Sequence, residues 1–407
     1  MATPTVLLLD GGSFISLSIA RELTEDLDAT VIGVGTTRYS RLLRSRYCDV
    51  QAIAPPTDHP RYIAALERLV EQYRPDVMLP VGYDSTRRVE DSREVFADTV
   101  ELPLPSRSSF LTAIDKRATQ MRGERVGLEG PTEYSGVVEE YASEDVRPVS
   151  PPELSFPVFM KPRWEVSDSH ATTAVVTHPD EFWDTYDRIA GDAPSGDVLV
   201  QEYIDGSGST FGCGVFAWEN DVELAFSHEE LRSVPRRGGS GTHLRVLRNR
   251  RLEDKAADLL REIGWHGLAL VEFKRRRDGS YVLMEINPKF WSSYCCASVH
   301  GYRFASTLVA RTLDLEVSFP IGTPQHRGEL AFPLRELHYY ATHREHEHLF
   351  ESLETIAHPD RTWSIDWSDY RAWLTPPASI LDRLRGNVME QDRMRAIQRP
   401  HVSAPTD

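Results

Sequence analysis

Short apolar runs alternate with amphipathic stretches through the first hundred residues. Val6–Leu9 is an apolar run ending at Asp10-Gly11-Gly12-Ser13, the spacing from Phe14 to Leu27 is helical, and Thr30–Val34 is a second apolar run. Tyr62–Tyr73 again has helical spacing, Asp76–Val81 reads as a third strand ending in Gly82-Tyr83-Asp84, and a further helix runs to about Phe96. The order β-α-β-α-β predicts a parallel sheet with helical crossovers to about residue 105.

The pattern then changes. A helix from Ser106 carries Asp115 and Lys116, and residues 124–155, rich in Glu, Ser and Pro, read as small strands and loops. Phe156–Met160 is a strand ending at Lys161-Pro162, and Val198–Ile204 is another, ending in Asp205-Gly206-Ser207-Gly208. Phe211–Trp218 and Val222–His228 read as an antiparallel pair, Pro235–Gly241 as a basic loop, and Glu253–Ile263 as a helix. Residues from about 331 to 396 read as helical and polar, and the last ten or so as frayed.

Between these lie GLALVEF (Gly267–Phe273) and YVLMEIN (Tyr281–Asn287), two strands flanking Asp278-Gly279, a preferred pair for a two-residue hairpin turn. That turn sets Glu272 opposite Glu285, with Asn287 on the same face. Leu268, Leu270 and Leu283 are expected on this face, and Val271, Phe273, Val282, Met284 and Ile286 on the other. Both faces are mostly apolar, which predicts a covered hairpin. Facing carboxylates repel, and covered ones call for a cation between them. Two carboxylates and an amide oxygen are hard ligands, suited to magnesium rather than zinc.

Composition narrows the class. At 407 residues the chain is long enough for two or three domains. A formal charge of −16 disfavours nucleic acid and anionic membranes as partners. No run is apolar enough for a membrane span, and no basic leader precedes the first strand, so a cytoplasmic protein is expected. Cys48, Cys213, Cys295 and Cys296 form no C-x-x-C pair, which fits a reducing compartment, and the adjacent pair reads as packing residues. Of 46 basic residues only Lys116, Lys161, Lys255, Lys274 and Lys289 are lysine. High acidity with scarce lysine suggests a salt-rich cytoplasm, although a GC-rich genome gives the same bias. A lysine retained in such a chain points to a site that needs a compact point charge.

Other candidates follow from position. Lys161 ends a strand before Pro162 and reads as a phosphate contact. Gln201-Glu202-Tyr203-Ile204 leaves a strand for a Gly-rich turn, whose backbone groups could read a base edge. Arg232, Arg236, Arg237 and Arg245 flank Gly238-Gly239, a loop able to close over an anionic substrate. Gly11-Gly12 lacks the rest of a G-x-G-x-x-G fingerprint and reads as a structural turn facing the central cleft. His338, His343, His346 and His348 lack a zinc-binding spacing and read as a wet helix.

Together these segments resemble the ATP-grasp superfamily, in the branch similar to carbamoyl-phosphate synthetase modules and carboxylate–amine ligases. The resemblance spans roughly residues 5–315 and is strongest in GLALVEFKRRRDGSYVLMEINPKFW. It implies an N-terminal Rossmann-like parallel-sheet domain, a two-lobed ATP-grasp fold and a helical C-terminal extension. The expected limits are 1–105, 106–197 for the first lobe, 198–330 for the lobe with the metal hairpin, and 331–407. It implies Glu272, Glu285 and Asn287 as ligands of Mg2+ or Mn2+. Lys116 and Lys161 fall on nucleotide-binding positions, as do Gln201, Glu202, Tyr203, Ile204 and Ser209, with the Glu202 carbonyl and Ile204 amide at the base. Arg232, Lys289 and Arg245 are the expected catalytic residues. The segment after Lys161-Pro162, WEVSDSHATT, has no glycine, and Glu165 and Asp168 stand where phosphate would pass.

The implied activity is ATP-dependent joining of a small carboxylate to an amine, or to a thiol, through an acyl phosphate, by a homodimer. A nucleotide-binding module with reduced or regulatory activity and an ATP-grasp kinase or phosphotransferase are the rival readings. A nicotinamide oxidoreductase is disfavoured by the missing fingerprint.

Overall fold

The computed structural model describes residues 3–142, 146–166, 173–193, 195–204, 210–219, 221–234, 240–321, 328–343, 349–358, 362–374 and 402–403. The first sheet contains β1 (Thr5–Leu8), β2 (Thr30–Gly35), β3 (Val50–Ile53) and β4 (Val77–Leu79), in the order β3-β2-β1-β4, all parallel. The expected alternation is present. The strand β3 was not anticipated; it is short and carries exposed Gln51, so its apolar signal is weak.

The second sheet has three antiparallel strands in the order β6-β5-β7: β5 (Val158–Pro162), β6 (Ala174–Val176) and β7 (Val198–Glu202). Helix Phe182–Asp192 packs Phe182 and Ile189 against it. Within the stretch expected to be strands and loops, Ser135–Ala142 is a helix. Its buried Val138 packs into the same core, and tertiary packing rather than composition stabilises it.

The third sheet runs β12-β11-β8-β9-β10-β13-β14. Its strands are β8 (Thr210–Trp218), β9 (Asp221–Val234), β10 (Ser240–Leu247), β11 (Gly267–Arg275), β12 (Tyr281–Asn287), β13 (Glu329–Ala331) and β14 (Thr362–Trp363). Helix Arg250–Glu262 covers one face through Leu252, Ala256, Leu259 and Leu260. The C-terminal region supplies helices Pro333–His343 and Leu349–Ala357, as expected, and also β14 and β15 (Val402–Ser403). β15 pairs antiparallel with β3 of the first sheet.

The β11–β12 hairpin departs from the expected turn. Gly279 donates its backbone N–H to the Arg276 carbonyl, and Arg276 donates to the Ser280 carbonyl, so the connection spans Arg276–Ser280 with Gly279 at φ +87°. The two-residue turn would pair Phe273 with Met284; the structure pairs Phe273 with Leu283. A bulge between Glu272 and Phe273 then restores the expected register, and Glu272 faces Glu285. Leu283 consequently packs with Phe273 in the core beneath the sheet, not on the Glu272 face. Met284 turns to the cleft beside Glu285.

The first and third sheets share a core. Glu22, on helix Phe14–Leu27, is buried and accepts hydrogen bonds from Tyr294 Oη (2.8 Å), Ala305 N (2.8 Å) and Ser306 N (3.0 Å). Cys295 and Cys296 are free thiols buried in the same core, the packing role expected of them. No described helix is long and apolar enough to cross a membrane.

Candidate active site

A cavity of about 1480 Å³ opens between the three sheets. One wall is the carboxyl end of the first sheet. Gly11 donates to the Val34 carbonyl (2.8 Å), and a Cβ there would meet that oxygen, so the Gly11-Gly12 turn is the structural feature expected of it. Asp10, at φ +55°, accepts from Val81 N (3.0 Å), Gly82 N (2.8 Å) and the Ser85 hydroxyl, tying this wall to helix Tyr83–Asp91.

At the floor, Glu272 and Glu285 stand side by side on the bulged hairpin, and Asn287 Nδ2 donates to Glu272 Oε1 (2.9 Å). Burial, then the Glu285, Glu230 and Glu165 carboxylates, push the Glu272 carboxyl well above the usual range. Burial acts on Glu285 in the same sense, but Lys116, Lys161 and Lys289 outweigh it and hold that carboxyl below its usual value. Burial and mutual repulsion thus act against charge on Glu272, while the three lysines favour it on Glu285. Among the described residues no group of three His, Cys, Asp or Glu side chains could hold a metal. The donor set here is two carboxylates plus the Asn287 amide oxygen, left open because the amide donates through nitrogen. That set fits a hard divalent cation that keeps further oxygen ligands from water or phosphate.

Three lysines surround these acids. Lys161, on β5, is 4% exposed, with Nζ 3.4 Å from the Met284 carbonyl and 3.9 Å from Glu285. Burial pulls its ammonium down to about 8. Lys116 begins helix Lys116–Arg125, whose N-cap Asp115 accepts from Arg117 N and Ala118 N and also binds Arg163. Its Nζ lies 2.7 Å from Glu165 and 3.8 Å from Glu285; burial alone would lower its pKa, but these carboxylates raise it. Lys289 lies 4.0 Å from Glu165. Glu165 is thus turned toward the lysines, while Asp168 lies outside the described residues.

Glu202, Tyr203 and Ile204 also line the cavity. The Glu202 carboxylate accepts from Arg276 and from Thr132 N (3.0 Å), and the Arg276 hydrogen bond holds it below the usual range. Gln201 is buried, and its amide donates to Gln120 Oε1 (3.1 Å) rather than entering the cavity lining.

Two expected catalytic residues are elsewhere. Arg232 donates from Nε to Glu336 (2.6 Å) and from Nη1 to Thr355 (2.9 Å), locked against the C-terminal helices. Arg245 pairs with Glu329 (3.0 Å) and is about half exposed. Neither lines the cavity: the β9–β10 register shifts at Gly241–Leu244 interrupt the alternation that would set Arg232 on the Glu230 face, and the C-terminal helices and β13 hold the two side chains. Ser209, Arg236 and Arg237 lie outside the described residues, as do His346 and His348, whereas His338 and His343 lie on helix Pro333–His343.

Sequence reasoning missed Glu230, Thr210 and Lys274, which line the cavity on adjacent strands. Lys274 could have been found, since it follows Glu272 by two residues on one strand face. Glu230 gave no local signal; its position depends on the long-range pairing with Thr210.

Neither a family model nor a curated protein sequence matches the chain. Solved structures do. The biotin carboxylase complex with β,γ-ATP from Campylobacter jejuni is 16% identical and has a TM-score of 0.62, over 76% of this chain and 71% of that one. The biotin carboxylase domain dimer of Hydrogenobacter thermophilus 2-oxoglutarate carboxylase, solved with MgADP, ADP and bicarbonate, is 14% identical with a TM-score of 0.62, over 78% and 71%. N5-carboxyaminoimidazole synthetase from Staphylococcus aureus is 12% identical with a TM-score of 0.60, over 85% and 89%. With a Rossmann-like parallel sheet followed by two antiparallel lobes around one cleft, the chain has the ATP-grasp fold.

Proposed function

We propose that the protein is an ADP-forming ligase that activates a small carboxylate with ATP and transfers the acyl group to an amine. The observation that carries this reading is the convergence of Lys116, Lys161 and Lys289 on the Glu272–Glu285 pair, in one cavity with the Glu202–Ile204 segment. The base of ATP is assigned to the Glu202 carbonyl and the Ile204 amide. Lys116 and Lys161 hold the phosphates, and Glu272, Glu285 and Asn287 hold Mg2+, with Mn2+ as a substitute. A cation held by these residues would offset the negative charge that develops on phosphoryl transfer. Lys289 sits where the acyl phosphate forms and neutralises it.

Room for a second substrate supports a two-substrate reaction. The cavity of about 1480 Å³ exceeds the roughly 300–1,000 Å³ of ordinary ligand sites. The acid is assigned to the wall formed by Gly11, Gly12 and Gly82. The C. jejuni and H. thermophilus structures contain nucleotide, and the latter is a dimer; ATP as substrate and a homodimer are proposed here by that likeness. The division at residues 105, 197 and 330 and a cytoplasmic location belong to the same proposal. The Glu165–Lys116 ion pair favours one second reading, a nucleotide-binding module of reduced turnover, because a carboxylate already occupies a phosphate-binding cation.

The test is a coupled ADP-release screen over amino acids and small carboxylates, with product mass to separate ligase from kinase. Activity should disappear in Glu285→Gln without unfolding. A protein that releases no ADP yet is stabilised by Mg·ATP supports the second reading. One whose melting point ignores Mg·ATP overturns both.

A further inference from the structure

The wall at the carboxyl end of the first sheet differs in charge from the rest of the cavity. The basic side chains among the described lining residues are Lys116, Lys161, Lys274, Arg275 and Lys289, and none of them belongs to the first sheet or its helices. The polar groups on this wall are the hydroxyls of Ser13, Thr36, Thr57 and Tyr62 and the carboxylate of Asp10, which already accepts from Val81 N, Gly82 N and Ser85. Ile15, Val34 and Pro55 supply apolar surface between them. Two arginines stand behind the wall rather than in it. Arg41 donates from Nη1 to the Gly12 carbonyl (3.1 Å) and lies 4.0 Å from the Phe14 ring centroid, Arg88 lies on helix Tyr83–Asp91, and neither lines the cavity.

This wall meets the lysine cluster at Lys289. The Lys289 Nζ lies 5.6 Å from the ring centroid of Tyr83, the first residue of the helix that follows β4. The next residues in the chain, Phe290, Trp291 and Ser292, line the cavity as well. Phe290 and Trp291 belong to the core shared by the first and third sheets, against which Ile15 packs. A substrate whose carboxylate meets Lys289 thus has two aromatic residues beside it and the first-sheet wall ahead. Apolar groups gain by leaving water there. A second anionic group would lose its water with no cation to meet it, and Asp10 would repel it.

We propose that the acid activated in this cavity is a monocarboxylate with an uncharged, largely apolar body, selected by the first-sheet wall together with Phe290 and Trp291. The proposal rests on the ligase reading above and on its placing of the acid. It is tested by calorimetric titration of the full chain, saturated at neutral pH with the magnesium complex of the non-hydrolysable β,γ-imido analogue of ATP. The titrants are two pairs of acids that differ only at the far end: hexanoate against adipate, and hydrocinnamate against its para-carboxy derivative.

The cost of burying an unpaired carboxylate predicts that the wild type binds the monocarboxylate of each pair about tenfold or more tightly. A cation added to the wall should reverse that cost. Thr36→Arg, at an exposed position, and Ile15→Arg, nearer Phe290, should each tighten the dicarboxylates and bring the preference below about threefold. A wild type that binds both acids of each pair equally, prefers the dicarboxylates or binds neither overturns the proposal and leaves the nucleotide reading standing. A preference retained in both folded variants places the selection away from this wall and overturns it too. A chain that does not bind the magnesium nucleotide removes the ligase reading and this proposal with it.

Discussion

Lys116 donates a hydrogen bond from Nζ to Glu165 Oε2 at 2.7 Å, within a cavity where the same ammonium lies 3.8 Å from Glu285. Glu165 also approaches Lys289, at 4.0 Å. An internal carboxylate thus neutralises cations that a triphosphate would use. Replacing it with the neutral isostere should favour the incoming anion. Glu165→Gln is expected to lower the Kd of Mg·ATP about three- to tenfold, on the order of 1 kcal/mol for a partly buried pair. Calorimetric titration measures this. Weaker binding in the variant would show that the carboxylate supports the nucleotide instead of competing with it.

Lys161 gives the nucleotide affinity a pH dependence. In the empty protein burial pulls its ammonium down to about 8. A bound triphosphate favours the charged form, so above pH 8 binding must take up a proton. The affinity of the wild type should therefore fall as pH rises from 8 to 9.5, by at most about tenfold per unit. Lys161→Met should bind more weakly throughout and show no such slope. A flat wild-type profile over this range contradicts the assignment of Lys161 to the phosphates.

Arg232 should behave as a structural residue. It is 7% exposed and its partner Glu336 only 1%, so cutting the pair strands a buried charge. Arg232→Met is expected to destabilise the protein by about 3–5 kcal/mol, read as a lowered urea midpoint, while the Kd of Mg·ATP is unchanged. The double variant with Glu336→Met should recover part of the loss, since neither charge is then left unpaired. A large rise in nucleotide Kd without a change in the urea midpoint would restore Arg232 to the cleft.

The Glu272–Glu285 juxtaposition was legible in the sequence, although by a route the structure corrects. The Asp278-Gly279 pair marked a hairpin, and strand alternation set the two acids on one face. The true connection is longer, and taken alone it would have shifted the partner by one residue and reversed its face. The bulge beside Glu285 cancels that shift. Local propensity thus located the turn, while the cost of burying the wrong face fixed the register.

Other parts of the site divide in the same way. Lys116, Lys161 and Lys289 stood out because lysine is scarce, and the structure gathers them around Glu285. Arg232 and Arg245 had the same basic character and a Gly-rich loop between them, but helices Pro333–His343 and Leu349–Ala357 and strand β13 claim their side chains. No feature near residue 232 announces partners more than 100 positions away. Glu230 shows the converse, an unremarked acid carried to the cavity by its pairing with Thr210.

By itself the sequence determined the alternation of strands and helices, the hairpin with its acids and amide, and which lysines merit notice, because those depend on residue spacing and local turn chemistry. Only the tertiary structure decided which charges meet. Strand order across the seven-stranded sheet, the bulge, and the packing of C-terminal helices on β9 and β10 are set by burial of apolar faces far apart in the chain, and that burial turned Glu165 and Glu230 to the cavity and Arg232 away from it.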